Sequence, residues 1–460
     1  MKSKKKALTP GEKLAQALVP REEWPYELPK GWVWTYMGNI AEWGSGGTPS
    51  RKHPEYYGGE IPWIKTGELN DSYIYDTSEK ITEEAVNQSS AKIYPKDTVM
   101  IAMYGATIGK TGILGVEAAT NQACACAKVF PFACFKYLFY YLISKKSYFI
   151  NSGKGGAQPN ISQYFLKRFY FPLPSLSEQQ RIVNKIESLF AKLDEAGDRL
   201  QKVLDGYEAR RAAILHEAFS GKWTGDHGAG NMSVPKGWRK AAIKDICHRL
   251  SYGTSKKSLA EGKYIVIRMG NLQNGTIDWS NLAYSNDEAE YAKYKLNPGD
   301  VLFNRTNSSE LVGKTSIYKG EYPAIYAGYL IKLDYDRALI NGEYLNYYLN
   351  SPRAKLYYNQ VKTDGVNQSN INSKKIGNFE IAFPSMEEQN NIVSKLNHIF
   401  ENDKKSLFLA KKSLSKIDLL KKSILTRAFR GELGTQDPSD PSVLELLKEC
   451  VMAGKEDSQS

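Results

Sequence analysis

The chain has 460 residues, which is enough for two to four domains with substantial hydrophobic cores. No apolar run is long enough to cross a bilayer, and five cysteines, an odd number, argue against a disulfide framework. The lysine-rich N-terminus lacks the apolar segment of a secretory signal, so we expect a cytoplasmic protein. A net charge of +12 and 30 tyrosines favour contact with nucleic acid, although many basic proteins bind none.

In chain order, short β-branched and aromatic runs come first, separated by Gly, Pro and Asn, as in a mixed α+β domain. The pattern predicts strands at 60–65, 98–102 and 125–130 and a helix over 135–143. The same alternation returns in the second half, with a strand predicted at 264–268 and a helix over 342–349. Each half of the chain therefore predicts one α+β domain.

A long helix is predicted after each α+β domain. Ser177 is placed to cap the first helix, and Glu178 favours its N-terminal dipole. Apolar residues then recur at 4-3 spacing, which predicts a coiled-coil seam that only Arg210 interrupts. The predicted seam consists of Ile182, Ile186, Leu189, Leu193, Ala196, Leu200, Val203, Tyr207 and Ile214.

The second long helix begins near Glu387 and has a rougher apolar repeat. Both helices end with Ala-Phe-x-Gly, where Gly221 and Gly431 are predicted to terminate them. Each spans about 40 residues, or about 60 Å. An apolar stripe of that length needs a partner, so we expect the two helices to pair; the alternative is that each packs singly on its own domain.

Internal repetition shows how the chain is organised. Six motifs occur twice in the same order, 203 to 210 residues apart. They are 28–32 with 234–238, 94–99 with 297–302, 108–113 with 312–317, 156–162 with 365–372, 174–179 with 384–389, and 218–222 with 428–432. Six collinear matches indicate a tandem duplication.

One repeated motif, Gly-Lys-Thr, invites comparison with a phosphate-binding loop. Such a loop has four residues between its glycines, whereas only three separate Gly105 from Gly109. The second copy, at Gly313, lacks the first glycine and brings Glu310 close to where a phosphate would bind. The motif therefore predicts a strand, a tight turn and a returning strand. A backbone-phosphate contact by the turn lysines is the alternative.

The sequence carries no recognisable catalytic or metal-binding motif. The five histidines are scattered, and Cys124 and Cys126 have neither C-x-x-C spacing nor a neighbouring histidine. The patterns G-x-G-x-x-G and G-x-S-x-G are absent. We predict no catalytic residue and no metal ligand, and a nuclease-like acidic cluster is the remaining enzymatic alternative.

Polar and basic loops supply the candidate DNA-binding residues. Arg and Lys match the edge of guanine, Asn and Gln match adenine, and Lys, Ser and Thr hold phosphates. For any one residue, a solvated loop or an Asx turn is the competing interpretation. The candidates are Thr48, Ser50, Arg51, Lys52, Lys65, Thr66, Tyr104, Lys110, Gln158, Asn160, Tyr252, Thr254, Lys256, Arg268, Asn271, Arg305, Asn307, Lys314, Gln368 and Asn370.

Together these features resemble the specificity subunit of a type I restriction-modification system, over nearly the whole chain. The motifs that carry the resemblance are the Pro-Lys-Gly-Trp starts, the Gly-Gly-Thr-Pro-Ser loop at 46–50, the Gly-Lys-Thr turns, the Gln-x-Asn-Ile elements and the Glu-Gln-x-x-Ile helix openings. The second half departs from the family in one loop, where Tyr-Gly-Thr-Ser-Lys-Lys occupies 252–257.

The resemblance implies an α+β fold with two pseudo-repeated target recognition domains, separated by two long antiparallel coiled-coil helices. Each recognition domain would read one half of a split, asymmetric site in double-stranded DNA. The expected segments are an N-terminal segment at 1–28, recognition domains at 29–175 and 231–384, a central helix and linker at 176–230, a C-terminal helix at 385–435 and a polar tail at 436–460.

The resemblance also implies partners and cofactors. Two modification subunits would carry S-adenosylmethionine and methylate adenine, and restriction subunits would use ATP and Mg to translocate DNA. This chain would hold no cofactor itself. The alternatives are a stand-alone DNA-processing enzyme with a cryptic catalytic site and a coiled-coil adaptor that does not bind DNA.

Overall fold

The computed structural model describes residues 9–152, 160–224, 234–366, 368–445 and 447–448. The chain divides into two compact units. The first unit contains residues 1–199 and 413–460, and the second contains residues 200–412. Among the described residues, no helix is both long enough and apolar enough to cross a membrane.

The helices include the two that the sequence predicts within the α+β domains. Those predictions, over 135–143 and 342–349, are confirmed by α3 and α10. The central helix is divided by one residue, Gly206, into α6 and α7. The α-helices include α1 (Pro10–Ala17), α2 (Glu83–Gln88), α3 (Phe135–Ser144), α4 (Lys146–Ser152), α5 (Gln163–Lys167), α6 (Leu176–Asp205), α7 (Tyr207–Phe219), α8 (Ile243–Ile246), α9 (Glu288–Tyr294), α10 (Gly342–Leu349), α11 (Pro352–Val361), α12 (Ser373–Gly377) and α13 (Met386–Ala428).

The strands of the first unit include the three predicted at 60–65, 98–102 and 125–130, which are confirmed as β3, β7 and β10. Its strands are β1 (Val33–Tyr36), β2 (Ala41–Ser45), β3 (Tyr57–Ile64), β4 (Ser72–Ile74), β5 (Lys80–Ile81), β6 (Ile93–Tyr94), β7 (Val99–Ala102), β8 (Thr111–Leu114), β9 (Ala118–Thr120), β10 (Cys124–Val129) and β11 (Tyr170–Leu173). They form sheets in the orders β2-β10-β7-β8-β4, β5-β3-β9-β6 and β1-β11.

The second unit repeats this plan, and its predicted strand at 264–268 is confirmed as β14. Its strands are β12 (Arg239–Ala242), β13 (Cys247–Tyr252), β14 (Tyr264–Ile267), β15 (Leu272–Gln273), β16 (Thr276–Ile277), β17 (Ala283–Ser285), β18 (Val301–Asn304), β19 (Thr306–Asn307), β20 (Thr315–Ile317), β21 (Ala324–Tyr326), β22 (Leu330–Tyr335), β23 (Thr363–Asp364), β24 (Ser369–Asn370) and β25 (Glu380–Phe383). The sheet β13-β22-β18-β20 corresponds to β2-β10-β7-β8, and the pair β12-β25 corresponds to β1-β11.

A buried glutamine at the start of each long helix repeats the duplication in atomic detail. Gln179 accepts a hydrogen bond from the Cys134 backbone N–H at 2.8 Å and donates to the Pro174 carbonyl at 3.0 Å. Gln389 makes the same two bonds, with Asn341 at 2.9 Å and Pro384 at 3.1 Å. Both glutamines are fully buried. The Gln of the repeated Pro-Ser-x-x-Glu-Gln motif is therefore structural.

The N-terminal cap of the first long helix lies two residues before the predicted one. The Ser175 hydroxyl accepts the Glu178 backbone N–H at 3.1 Å, and α6 begins at Leu176. Ser177, the predicted cap, is already inside the helix. The C-terminal prediction is confirmed, because Gly221 and Gly431 have φ values of 81° and 70°, the left-handed conformation that glycine tolerates.

Each unit buries a phenylalanine that comes from the helix of the other copy. In the first unit, the ring of Phe429 lies 5.1 Å from that of Tyr137 and 5.0 Å from that of Tyr141. In the second unit, Phe219 lies 5.2 Å from Tyr344 and 4.8 Å from Tyr348. The Ala-Phe-x-Gly motif is thus a packing motif as well as a helix end.

The predicted helix pairing is observed within each unit. In the first unit, α6 and α13 run antiparallel, with Lys421 paired to Asp194 and its Nζ 5.2 Å from the centre of the Phe190 ring. In the second unit, Arg210 pairs with Asp403 at 3.4 Å, and the Arg211 guanidinium lies 4.2 Å from the centre of the Phe400 ring. The alternative of a helix packed singly is wrong in both units.

The contact face of α6 and α7 moves by one residue relative to the predicted seam. The predicted members Ala196 and Val203 are exposed, whereas Gly197 faces Ile417, and Arg211 is buried. A straight helix drifts about 20° per seven residues, which accumulates to about one residue over five heptads. The buried face of the helix therefore matches the strict 4-3 repeat near its start and departs from that repeat further along the chain.

The segment predicted as a polar tail contributes to the core of the first unit. Val443 and Leu447 are buried in the same cluster as Phe429. Arg181 on α6 pairs with Asp440, and its Nε donates to the Thr435 carbonyl at 2.8 Å. The segment is mostly polar because most of its residues face solvent. Two apolar residues four positions apart are enough to anchor it to the core.

Candidate DNA interface

The two Gly-Lys-Thr motifs form tight turns between antiparallel strands. In the first unit, β7 pairs with β8 (Val99 opposite Ile113), and Gly109 has a φ of 78°. In the second unit, β18 pairs with β20, and Gly313 has a φ of 92°. A strand follows each motif where a phosphate-binding loop needs a helix N-terminus. The prediction of a strand-turn-strand element is confirmed.

Different side chains hold the threonines of these turns. The Thr111 backbone N–H and hydroxyl both donate to Asp71 Oδ1 at 3.0 Å, and Lys146 Nζ donates to Asp71 Oδ2 at 2.6 Å. In the second unit, the Thr315 backbone N–H donates to Asn350 Oδ1 at 3.3 Å. The threonines of both turns are therefore held by contacts within their own unit.

Two of the predicted residues of the first unit, Arg51 in the loop after β2 and Lys65 after β3, lie close together around one carboxylate. Arg51 donates through both terminal nitrogens to the two carboxylate oxygens of Glu79, one of them at 2.9 Å. Lys65 Nζ donates to the same carboxylate at 3.1 Å. The hydrogen bond from Arg51, with Lys65 adding to it, lowers the pKa of Glu79 to about 2.

Aromatic rings complete this cluster, which the sequence did not predict. The guanidinium carbon of Arg51 lies 4.1 Å from the centre of the Tyr57 ring and 5.6 Å from that of Trp63. The two rings also hold the loop, since the Tyr57 hydroxyl donates to the Pro49 carbonyl at 2.6 Å and Trp63 Nε1 donates to the Gly47 carbonyl at 3.1 Å.

The glycines of this loop permit a close backbone approach. A Cβ on Gly46 would lie 1.8 Å from the Thr120 carbonyl oxygen, and one on Gly253 would lie 2.0 Å from the Tyr326 carbonyl oxygen. Only glycine fits at either position. Both glycines of the Gly-Gly-Thr-Pro-Ser loop are buried, and the Gly47 backbone N–H donates to the Thr120 carbonyl of β9 at 2.9 Å.

The remaining candidates in this region lie on the surface around the cluster. Thr48 hydrogen bonds to Gln122, and Ser50 Oγ accepts the Lys52 backbone N–H at 3.3 Å. Thr48, Ser50 and Lys52 are exposed, and Thr66 begins a short 3-10 turn after Lys65. Their polar groups are reachable from solvent.

The Gln-x-Asn-Ile element lies beside the loop after the central strand in both units. Asn160 pairs with Tyr104, and the Ile161 backbone N–H donates to the Met103 carbonyl at 3.0 Å. In the second unit, Asn370 pairs with Thr306, and Ile371 donates to the Arg305 carbonyl at 2.9 Å. Tyr104 and Asn160 are exposed, Lys110 is half-buried, and Gln158 lies outside the described residues.

Four predicted residues of the second unit line one cleft of about 360 Å³, namely Arg268, Asn271, Asn307 and Lys314. Lys314 Nζ donates to Gln273 Oε1 at 2.9 Å, and burial lowers the pKa of this lysine. The Arg268 guanidinium donates to Asn281 Oδ1 at 3.1 Å. The cleft therefore gathers cationic and amide groups from three separate loops.

Asn271 is buried, and its side-chain amide is fully used. Its Oδ1 accepts the Arg268 backbone N–H, and its Nδ2 donates to the carbonyls of Asp278 and Asn281, all at 2.9 Å. These bonds favour a structural role, because no polar group of the amide is left for a base. Thr254 is likewise buried, and its hydroxyl accepts the Lys256 backbone N–H at 3.1 Å.

A second polar region of this unit contains three further predicted residues, Tyr252, Arg305 and Asn370. The Arg305 guanidinium carbon lies 4.8 Å from the centre of the Tyr252 ring, and the Tyr252 hydroxyl donates to Ser373 Oγ at 2.9 Å. Asn370 Nδ2 donates to Thr306 Oγ1 at 2.8 Å, and Gln368 is exposed. Arg305 Nε is buried without a hydrogen-bond partner among the described residues.

Sequence reasoning missed Glu79, Tyr57, Trp63 and Gln273. Glu79 lies 28 residues from Arg51 in sequence, so no local pattern connects them. In the described parts of the chain, no group of three or more His, Cys, Asp or Glu side chains is placed to hold a metal ion. Cys124 and Cys126 are buried, and burial raises the pKa of Cys126 to about 12.

The fold and these loops define a protein with two α+β units that present polar, cationic surfaces. The type I restriction modification DNA specificity domain matches residues 29–204 and 235–407. The chain therefore belongs to the family of type I restriction-modification DNA specificity subunits.

Individual relatives agree with this assignment over most of their length. The chain is 25% identical over 428 residues to the StySPI specificity subunit of Salmonella potsdam, covering 89% of this chain and 91% of that subunit. It is 26% identical over 424 residues to the EcoKI specificity subunit of Escherichia coli K12, with the same coverage. Its fold is similar to that of the HsdS subunit from Thermoanaerobacter tengcongensis, with a TM-score of 0.62, 20% identity, and coverage of 89% of this chain and 100% of that one.

Family membership identifies the function as DNA sequence recognition within a restriction-modification complex. Specificity subunits are the non-catalytic members of such complexes, so this chain is a recognition subunit and not the enzyme. The alternative of a stand-alone DNA-processing enzyme receives no support from the family or its relatives.

Proposed function

We propose that the two units read the two halves of a split, asymmetric site in double-stranded DNA. The observation that carries this proposal is a shared scaffold with different loops. Gln179 and Gln389 anchor the same corner, whereas the polar groups differ: Arg51, Lys65 and Glu79 form a cluster in the first unit, and Arg268, Asn307 and Lys314 line a cleft in the second. Two similar scaffolds that carry different loops can recognise two half-sites of different sequence.

The recognition domains correspond to residues 29–175 and 231–384 in this proposal. Exposed Thr48, Ser50 and Lys52 suit phosphate contacts, since hydroxyl and ammonium groups position a protein without reading sequence. Tyr104, Asn160, Gln368 and Asn370, together with the cleft lined by Arg268 and Asn307, supply groups that can read base edges. Asn271 and Thr254 are buried and stabilise these loops through hydrogen bonds within them.

The long helices act as the spacer that fixes the gap between the half-sites. Helix α13 has 43 residues, which is about 65 Å of helix. Antiparallel contacts within each unit support this role, because Asp194 pairs with Lys421 in the first unit and Arg210 pairs with Asp403 in the second.

A deletion of seven residues from α6 and seven opposite residues from α13 tests the spacer. It removes about 10 Å of helix, or about three base pairs of DNA. We expect both half-sites to be kept and the gap between them to shorten, as mapped by methylation sequencing. An unchanged gap would remove the spacer role.

The partners, as the family resemblance implies, are two modification subunits and the restriction subunits. S-adenosylmethionine, ATP and Mg would then belong to those subunits, and the complex would act in the cytoplasm. Exposed apolar side chains on α13 support such docking, since Phe408 is 65% exposed in the second unit and Leu419 is 63% exposed in the first.

Methylome sequencing of a host that carries the complete system tests the proposed function. The expected result is one new methylated motif with two unlike specific parts separated by unspecified bases. The matched control is the same host with the same partner subunits and no copy of this chain. A single uninterrupted motif would contradict the two-reader proposal, and a motif that persists in the control would contradict DNA recognition by this chain.

A further inference from the structure

In the first unit, the carboxylate of Glu79 pairs with two cations, Arg51 in the loop after β2 and Lys65 after β3. Arg51 gives it both terminal guanidinium nitrogens, and Lys65 approaches to 3.1 Å. The Arg51 side chain is 58% exposed and that of Glu79 only 23%. The cations therefore face solvent while the group that neutralises them lies behind.

The surroundings hold this arrangement in one geometry. Arg51 stacks on Tyr57, and the rings of Tyr57 and Trp63 are tied to the loop backbone by hydrogen bonds of 2.6 and 3.1 Å. The Gly46 backbone lies too close to the Thr120 carbonyl for any other residue. Because the frame is fixed, the cations can exchange one anionic partner for another without rearranging the loop.

The second unit also pairs the cation of its loop with a carboxylate, although the residues and their positions differ. Lys256 lies in the corresponding loop, after β13, and its Nζ donates to Asp287 Oδ2 at 2.6 Å, with Glu290 at 3.7 Å. Asp287 follows β17, the strand that pairs with β14, whereas Glu79 precedes β5, which pairs with β3, so the two carboxylates come from opposite ends of comparable strands. In both units, a carboxylate from the neighbouring element holds the cation of this loop.

We propose that Glu79 is a specificity-determining residue that competes with DNA phosphates for Arg51 and Lys65. This inference rests on the proposed function and adds a role for the carboxylate. DNA of any sequence can bind these cations only by displacing Glu79, which suppresses the electrostatic, sequence-independent part of binding. At the correct half-site, base contacts from other loops hold the DNA without these cations, so Glu79 stays paired there. Discrimination then rises because the wrong sequences are penalised more than the right one.

The test compares Glu79→Gln with Glu60→Gln in the full chain assembled with its modification subunits. Glu60 is exposed on β3, so the two substitutions remove the same charge from the same unit. Two duplexes are used, one with the selected site and one with its half-sites scrambled. For Glu79→Gln, we expect affinity for the scrambled duplex to rise about three- to tenfold. Its dependence on salt should steepen by about one to two in the logarithmic slope, and affinity for the selected site should change less.

A triple variant, Arg51→Gln with Lys65→Gln and Glu79→Gln, identifies the origin of the gain. If Glu79 acts through these two cations, the gain on scrambled DNA disappears in the triple variant. A gain that persists there, or that Glu60→Gln reproduces, would show a general charge effect and overturn the inference. Thermal unfolding is measured alongside: a Glu79→Gln chain that unfolds earlier and binds both duplexes more weakly would make Glu79 structural and also overturn it.

These outcomes are separable from failure of the proposed function. If the unaltered complex bound the selected and scrambled duplexes equally well, DNA recognition itself would be refuted, and the role of Glu79 with it. If the unaltered complex discriminated and Glu79→Gln left that discrimination unchanged, only the inference about Glu79 would fail.

Discussion

The first and second units bury the same group of side chains and differ at the loop after the first strand of the central sheet. Gln179, Tyr137 and Phe429 in the first unit correspond to Gln389, Tyr344 and Phe219 in the second. The loop cations differ in identity and in partner: Arg51 and Lys65 share Glu79, whereas Lys256 binds Asp287.

The two copies of the duplication thus share their buried side chains and differ in their loops. The preserved group packs the ends of the long helices against the α+β part of each unit. The varied loops contribute little to the core and are free to acquire new side chains. We therefore expect substitutions of the shared buried residues to lower stability strongly, and substitutions in the loops to change which DNA sequences are bound.

The largest stability effect is expected from the exchanged phenylalanines. Phe429→Ala should cost about 3–5 kcal/mol, because it leaves a cavity beside Tyr137 and Tyr141 in a fully buried site. The loss should fall on the first unit, although Phe429 follows the helix of the second copy. Hydrogen exchange measured by mass spectrometry locates it, and Phe219→Ala should instead release protection in the second unit.

Phe408→Ala is the matched control, since Phe408 lies on α13 and is 65% exposed. It should leave protection in both units unchanged. If Phe429→Ala loosened the second unit more than the first, the exchange of helix ends between the copies would be wrong.

The buried glutamines should have the next largest effect. Gln179→Leu removes the acceptor of the Cys134 N–H and the donor to the Pro174 carbonyl, and leaves both backbone groups buried without a partner. We expect a cost of about 2–4 kcal/mol in chemical unfolding. Gln389→Leu should cost a similar amount in the second unit. The control is Gln180→Leu, at the exposed neighbouring residue. An equal cost there would contradict a stabilising role for the buried hydrogen bonds of Gln179.

The smallest effect concerns the pH dependence of the first-unit cluster. Hydrogen bonds from Arg51 and Lys65 hold the folded-state pKa of Glu79 at about 2, below its unfolded value of about 4.3. The stabilisation is therefore complete above about pH 4.3 and is lost as the pH falls towards 2. Carboxylate NMR chemical shifts should show Glu79 titrating near 2, and near 4 in an Arg51→Gln, Lys65→Gln chain. Titration near 4 in the unaltered chain would contradict the pairing.

The repeats and the strand-turn-strand element could be predicted because they are written locally in the sequence. Gly109 and Gly313 mark turns whose left-handed backbone needs glycine, and a following apolar run marks a strand. Gly221 and Gly431 end their helices for the same local reason. Patterns that depend only on neighbouring residues are readable before the fold is known.

The contacts of the site could not be predicted because they join residues that are far apart in the chain. Arg51 looks like a free cation until Glu79 is brought beside it by the pairing of β3 with β5. Asn271 looks like a reader of adenine until burial shows that its amide is fully used. Arg211 lies outside the predicted seam, yet the drift of the helix places it over Phe400. Each correction depends on tertiary packing.

The most direct test exchanges residues 29–175 for the recognition domain of another specificity subunit and maps the methylated motif in a host with the complete system. The account predicts that one half of the motif changes, while the other half and the gap remain as in the unaltered system. The reciprocal exchange of residues 231–384 should change the other half. A motif in which one exchange altered both halves would contradict the claim that the two units read DNA independently.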